Sequence, residues 1–434
     1  MQKISTKPLQ FSQKIKINFE GGELSSDTGL LVFHEFCEKM NVQELLSKYL
    51  PENRKGKIEH KKPAIFYQQI TRIMAGYSSN NAAIYLKNDP VMKIIHQGKN
   101  ASASTCCRLE QTFSFDDLKK LQKIQDKLID QSYEIEKPKE VWFDVDTTYD
   151  PASGRLNGAN YNTHYAETGF SPIVMFDGKT GDFIKGNLRP GNYYCSKKAV
   201  PFLEPVFRKY QKKGISMKIR MDSGFACPEI YELCEKYNVQ YVIKLKNNSV
   251  LKGKFQKNIL TEEIYKNKTE VFSEFEYQAK SWSKPRRVLA RVEWKGDELF
   301  PICTSIVTSD LECTSEEGFK FYNNRAVVEN YIQEGKEGFS WDHLSNQSFE
   351  SNAVKFQVFL TALQLTQFLR RLCFPEKQKT ITIPTIRTRL LKVASKIVKN
   401  SRNLIVKCAT CFPFQKFFLH VLNAIQNLPK IGFD

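Results

Sequence analysis

Apolar residues recur at helical spacing over most of the first 135 positions of this 434-residue chain. After a short extended lead-in, KIKINFEGGE, Ser26 and Asp27 are placed to cap a helix carrying Leu30, Leu31, Phe33 and Phe36. PAIFYQQITRIMAGY (63–77) is a second amphipathic segment, a third follows Ser79 and Asn80, and the Asp89-Pro90 step starts a fourth. From Ser114 to Ile135 the positions Leu118, Leu121, Ile124 and Leu128 keep the same spacing. EKPKE at 136–140 reads as a linker, and beyond it the period changes to two. VWFDVD (141–146) alternates as a strand, with Trp142, Asp144 and Asp146 on one face. FSPIVMFD (170–177) and GDFIKGNLRP (181–190) are two more strands joined by a turn at Gly178–Gly181. A helix over 197–213, a strand ISMKIRMD ending at Asp222, a helix from Cys227 to Tyr237 and a strand VQYVIKLK (239–246) follow.

Three meandering strands followed by alternating helix and strand predict an α/β chain with a mixed sheet, in the order that the ribonuclease-H-like fold uses. VFSEFEYQAKSW, RRVLARVEW and LFPICTSIVTS predict a β-rich insertion at about 250–300, returning to the main sheet through Ile302–Thr308. Helical spacing resumes at Phe349, and in Pro384–Lys399 it puts Ile386, Leu390, Val393 and Ile397 on one face and Arg389, Lys392, Lys396 and Lys399 on another. The predicted organisation is a helical N-terminal region, 1–135, with a DNA-binding or dimerisation role. A ribonuclease-H-like catalytic domain, 136–345, and a basic helical C-terminal region, 346–434, complete it.

Composition narrows the class. A hydrophobic fraction of 41% is ample for folded cores, and the formal charge of +18 calls for a polyanionic partner, of which nucleic acid is the commonest. The charge is concentrated: residues 351–434 hold 14 Lys and Arg against Glu376 and Asp434, a net +12. The N-terminus lacks an apolar core of signal-peptide type, and Gln364 and Gln367 interrupt the most apolar stretch, Phe356–Leu369. Eleven cysteines at irregular spacing do not form a disulfide framework; Cys408 and Cys411 lack a second pair for zinc and read as buried thiols. A cytoplasmic, nucleoid-associated protein is expected.

The chemistry centres on TSEEGFKFYNNRAVVENYIQEGKE (314–337). Thr314 and Glu317 form a capping box, and at about 100° per residue Tyr322, Arg325, Glu329 and Lys336 share one helix face. Upstream, Asp146 lies on the first strand and Asp222 ends the fourth, two strands that neighbour each other in the predicted sheet. Two carboxylates so close need a proton or a cation between them, and a hard divalent ion suits an all-oxygen site. With Glu329 added, three carboxylates can hold two Mg²⁺ or Mn²⁺ ions about 3.5 to 4 Å apart, a clamp for in-line phosphoryl displacement.

The spacing Tyr322-x2-Arg325-x3-Glu329-x6-Lys336 resembles the Tyr-Arg-Glu-Lys signature of bacterial insertion-sequence DDE transposases. Asp146-Thr147-Thr148 and Met221-Asp222-Ser223-Gly224-Phe225 resemble their first two acidic motifs. The similarity is to the transposase DDE domain group 1 branch and runs over most of the chain, including LRPGN (188–192) and TIRTRLLKVASKIV (385–398). It implies that Asp146, Asp222 and Glu329 are the metal-binding catalytic triad and that Tyr322, Arg325 and Lys336 hold DNA phosphates. It further implies recognition of terminal inverted repeats, strand cleavage, strand transfer into target DNA, and a homodimer bridging two ends. In some relatives an aromatic residue of the insertion stacks on a flipped base, a role open to Trp282 or Trp294.

Three alternatives stand beside that resemblance. Asp144 points the same way as Asp146 and competes for the place of first metal ligand. FDVDTTYD also fits the nucleophile loop of haloacid-dehalogenase-type phosphatases, with Asp144 attacking phosphorus and Asp146 as acid/base. Finally, a transposase-derived protein could bind DNA without cutting it.

Overall fold

The structure, a computed structural model, describes residues 7–258, 270–294 and 301–432. Parts of the expected insertion, 259–269 and 295–300, lie outside the described residues. The chain forms two compact units, Ser114–Gln367 and a second made of Met1–Phe113 with Phe368–Asp434. These boundaries differ from those expected at 135 and 345.

In the first unit a capping box, Ser114 with Asp117, opens helix α1 (Phe115–Ile135), whose apolar stripe Leu121, Ile124 and Leu128 is buried. Then come β1 (Glu140–Thr147), β2 (Asp150–Pro151), β3 (Asn160–Asn162), β4 (Glu167–Phe170), β5 (Ile173–Asp177) and β6 (Phe183–Asn187). They are followed by α2 (Ala199–Lys212), β7 (Ser216–Met221), α3 (Pro228–Lys236), β8 (Gln240–Lys244) and α4 (Ser249–Asn258). Last are β9 (Glu270–Tyr277), β10 (Arg286–Glu293), β11 (Ile302–Thr308), α5 (Ser315–Asn323), α6 (Val327–Phe339) and α7 (Phe349–Cys373).

The main sheet runs β9-β10-β11-β8-β7-β1-β5-β6. β7 is parallel to both β1 and β8, and the remaining neighbours are antiparallel. The mixed sheet and its strand order agree with the expectation from periodicity, and the segment 270–308 extends that sheet with three antiparallel strands. β1 is covered on both faces: Val141, Phe143 and Val145 are fully buried on one, Phe143 against Phe207 and Tyr210 of α2, and Asp144 is fully buried on the other. Each such apolar side chain contributes roughly 1.5–3 kcal/mol. The edge strand β6 has its free polar groups answered by glutamines of α7. Gln367 accepts from Phe183 N at 2.7 Å, Gln364 donates to Phe183 O at 3.2 Å and Gln357 donates to Gly186 O at 2.7 Å. The glutamines that interrupt the apolar run are thus buried partners of a sheet edge.

The second unit is mainly helical, with helices at Leu30–Lys39, Val42–Tyr49, Lys62–Met74 and Gln415–Gln426, and a three-stranded sheet of Leu24–Ser25, Ser395–Lys399 and Leu404–Cys408. The expected helix over Pro384–Lys399 is formed only in its first half. It ends after a π turn at Arg387–Leu391, and Ser395–Lys399 becomes a strand pairing with Leu24–Ser25. The long-range ladder outweighs local helical spacing at a segment rich in β-branched residues. Lys392 therefore leaves the expected basic face and donates to Asp27 at 2.5 Å and to Tyr77 at 3.1 Å. Cys408 and Cys411 are exposed, contrary to the buried thiols expected, because Cys408 ends the edge strand of that small sheet, opposite Ser395, and Cys411 follows just beyond it.

Gly29 donates to Leu391 O at 3.0 Å, and a Cβ there would lie 1.8 Å from Leu390 O. Gly29→Ala should therefore cost about 2 kcal/mol or more in urea unfolding, because backbone must part from backbone. Gly253→Ala, in α4 with nothing within 4 Å, is the control and should be neutral or stabilising.

Candidate active site

The β7–β1 register pairs Arg220 with Asp144 and Met221 with Val145. One step further along the same parallel pair, Asp146 and Asp222 stand side by side where the strands end. Asp144 and Asp146 face the same way, yet their environments differ. Asp144 is fully buried and takes a two-pronged pair from Arg220, Nε to Oδ1 at 2.6 Å and Nη2 to Oδ2 at 2.7 Å. Arg220 lies against the rings of Trp142 and Phe321, 5.4 and 4.8 Å from their centroids, and its Nη1 donates to Phe321 O of α5 at 2.8 Å. Burial pushes the Asp144 carboxyl up to about 6 against the pull of Arg220. A carboxylate sealed in this way cannot attack phosphorus, which removes the phosphatase alternative.

Asp146 opens instead onto a cleft of about 900 Å³, together with Asp222, Arg325, Glu329 and Lys336. Its Oδ1 accepts from Thr147 N at 2.8 Å and its Oδ2 from Arg325 Nη2 at 2.7 Å. Burial pushes its carboxyl up to about 6; Arg325 opposes this, while the charges of Asp222 and Glu329 add to it. Asp222, just past β7, accepts from Gly224 N at 2.9 Å and so caps the short turn Ser223–Phe225. Glu329 sits in the first turn of α6 with its side chain 66% exposed and Arg325 Nη1 3.6 Å away.

The expected single helix over 314–337 is α5 and α6 joined by a 3₁₀ turn, Asn324–Ala326, with the Thr314–Glu317 capping box in place. Arg325, Glu329 and Lys336 keep to the cleft, whereas Tyr322 does not line it and packs beside Phe319, Leu289, Val242 and Ile306. The Tyr322 phenol is pushed up to about 12, chiefly by burial. Lys336 donates to Tyr149 O at 2.5 Å and pairs with the fully buried Asp150 at 3.3 Å. Burial pushes that carboxyl up to about 7 against the pull of Lys336.

Sequence reasoning found the acids and missed most of the walls. Tyr161, His164, Tyr165, Tyr194 and Lys246 also line the cleft. Arg189 of LRPGN is buried and fastens the adjoining loop, donating to Ser171 O at 2.9 Å, Cys195 O at 3.0 Å and Lys197 O at 2.9 Å. Trp282 is buried among Tyr231, Tyr277 and Arg286, which makes it a core residue and not a base-stacking one. The available signal for the missed wall was NYNTHYAETGF (160–170), a cluster of polar and aromatic residues behind a glycine turn.

Three carboxylates suit a hard divalent cation, and His164 and Cys195 line the same cleft. Among the described residues, however, no three such side chains are drawn together around a point, and Arg325 occupies the position against Asp146 that a cation would take.

The family model for the transposase DDE domain group 1 matches residues 7–430, nearly the whole chain. The chain belongs to that family. No curated protein matches this DDE-domain chain by sequence. Among solved structures, a piggyBac transposase synaptic complex with hairpin DNA aligns at 14% identity and a TM-score of 0.41, over 89% of this chain and 81% of that one. No helix among the described residues of the DDE-domain chain is long and apolar enough to cross a membrane.

Proposed function

We propose that this chain is the DNA transposase of an insertion sequence. It binds the terminal inverted repeats of its element, cuts the strands there and joins the freed ends to target DNA. What supports this reading is that Asp146, Asp222 and Glu329, from three separate elements, line one cleft of a DDE-family chain. The order β6-β5-β1-β7-β8 supports a ribonuclease-H-like catalytic core. Asp146, Asp222 and Glu329 would hold two Mg²⁺ or Mn²⁺ ions, and Asp144 is excluded from that role by its pair with Arg220. When bound, the ions supply an activated water or 3′-hydroxyl and steady the leaving oxygen.

Arg325 leaves Asp146 for a DNA phosphate as the acids are occupied, and Lys336 holds a second phosphate at the rim. Tyr322 supports Arg325 from behind the wall. A homodimer pairs the two ends, and the protein acts in the cytoplasm on nucleoid DNA.

The test is cleavage of DNA carrying the element's ends by purified protein. Nicking should appear with Mg²⁺ or Mn²⁺, stop with EDTA and return on adding metal; DNA bound but uncut under every metal condition would leave only a binder. Binding should also be electrostatic. With about six phosphates neutralised, affinity should fall roughly 10³-fold between about 50 and about 200 mM salt, measured by fluorescence anisotropy.

A further inference from the structure

Between β1 and β5 the chain builds a small sheet, β2-β4-β3, whose far end presents rings to the cleft. Tyr161 is 58% exposed, Tyr165 47%, and Tyr194 on the neighbouring loop 67%; all three line the cleft that holds Asp146, Asp222, Glu329 and Arg325. Large rings so exposed add little to a core. They are nevertheless held firmly. Asn162 donates to Gly191 O at 2.8 Å and accepts from His164 N at 3.0 Å, fixing the turn before Tyr165. A Cβ on Gly191 would lie 2.0 Å from Gly169 O, so the two loops touch backbone to backbone. Tyr165 stacks on the buried Tyr149 with centroids 4.6 Å apart and planes at 18°, which backs one side of its ring.

Flat rings, cations for phosphate and carboxylates for metal in one cleft match a nucleotide strand rather than a peptide or a lipid. Bases inside a duplex present only their edges, whereas an unpaired base offers a face for stacking. We propose that Tyr165, with Tyr161 and Tyr194, stacks unpaired nucleobases of the strand beside the bond to be cut, so that the cleft takes a melted DNA end. This rests on the transposase reading above and deepens it.

The test uses the full chain and two labelled DNAs of one sequence, a fully paired duplex and a duplex with unpaired ends carrying 2-aminopurine. The intact protein should prefer the unpaired ends and quench the 2-aminopurine. Tyr165→Leu should weaken that complex roughly tenfold and restore fluorescence, with duplex binding changed by less than about twofold, while Tyr165→Phe should behave as the parent. Tyr194→Ala, at a more exposed position, gives the same reading should Tyr165→Leu fail to fold. Equal losses on both DNAs, or no loss with either variant, overturn the proposal. Metal-dependent cleavage is scored separately: cutting without any tyrosine effect sinks the stacking and keeps the transposase, and stacking without cutting does the reverse.

Discussion

Glu329→Gln is expected to bind DNA within about twofold of the parent and to cut a bound end roughly 10³-fold more slowly or worse, a barrier higher by about 4 kcal/mol. The side chain is two-thirds exposed and its pair with Arg325 is 3.6 Å long, an arrangement worth well under about 1 kcal/mol to folding. Glutamine keeps the shape and removes the charge. What would be lost is an anionic oxygen in the cleft that Asp146 and Asp222 also line, and with it the proposed grip on a divalent ion. The measurement is a cleavage time course beside an anisotropy titration, with thermal melting to confirm an unchanged fold. Cleavage surviving within about tenfold of the parent would remove Glu329 from the triad. Removing one negative charge near the DNA should, if anything, tighten binding slightly, so a large loss of affinity would point instead to a positioning role.

What could be read in the chain beforehand follows the range of the interactions involved. Alternation in VWFDVD, the Gly178–Gly181 turn and the helix–strand repeat to Lys246 are local signals, and they sufficed for the strand order and hence for Asp146 beside Asp222. The second unit was not legible because it joins both ends of the chain. Thr28 and Ser395 meet at 2.5 Å although they are 367 positions apart, and nothing local to TIRTRLLKVASKIV announces a strand partner near residue 25. Helical spacing of Ile386, Leu390 and Val393 marked the buried positions correctly while misnaming the element that buries them. The aromatic wall escaped because its strands are only two to four residues long, too short for any period to show.

Asp144→Ala should be the most destabilising single change near the site, at about 3–5 kcal/mol, because it leaves the Arg220 guanidinium charged, fully buried and without its carboxylate. Urea unfolding monitored by tryptophan fluorescence measures it. The double variant Asp144→Val with Arg220→Met removes both charges, and its stability should return to within about 1 kcal/mol of the parent or exceed it, as replaced buried ion pairs do. Cleavage should not return with it. Arg220 ties together three elements: β7, which ends just before Asp222; β1, which carries Asp146; and α5, reached through Phe321 O, four residues before Arg325. A methionine packs in the same space but donates no hydrogen bond to Phe321 O, so α5 is free to shift relative to the strand ends. A shift of about 1 Å at the reacting groups can cost on the order of 10²-fold in rate. Stability regained with cleavage still depressed assigns the pair to positioning, whereas full recovery of both would make it a replaceable piece of core.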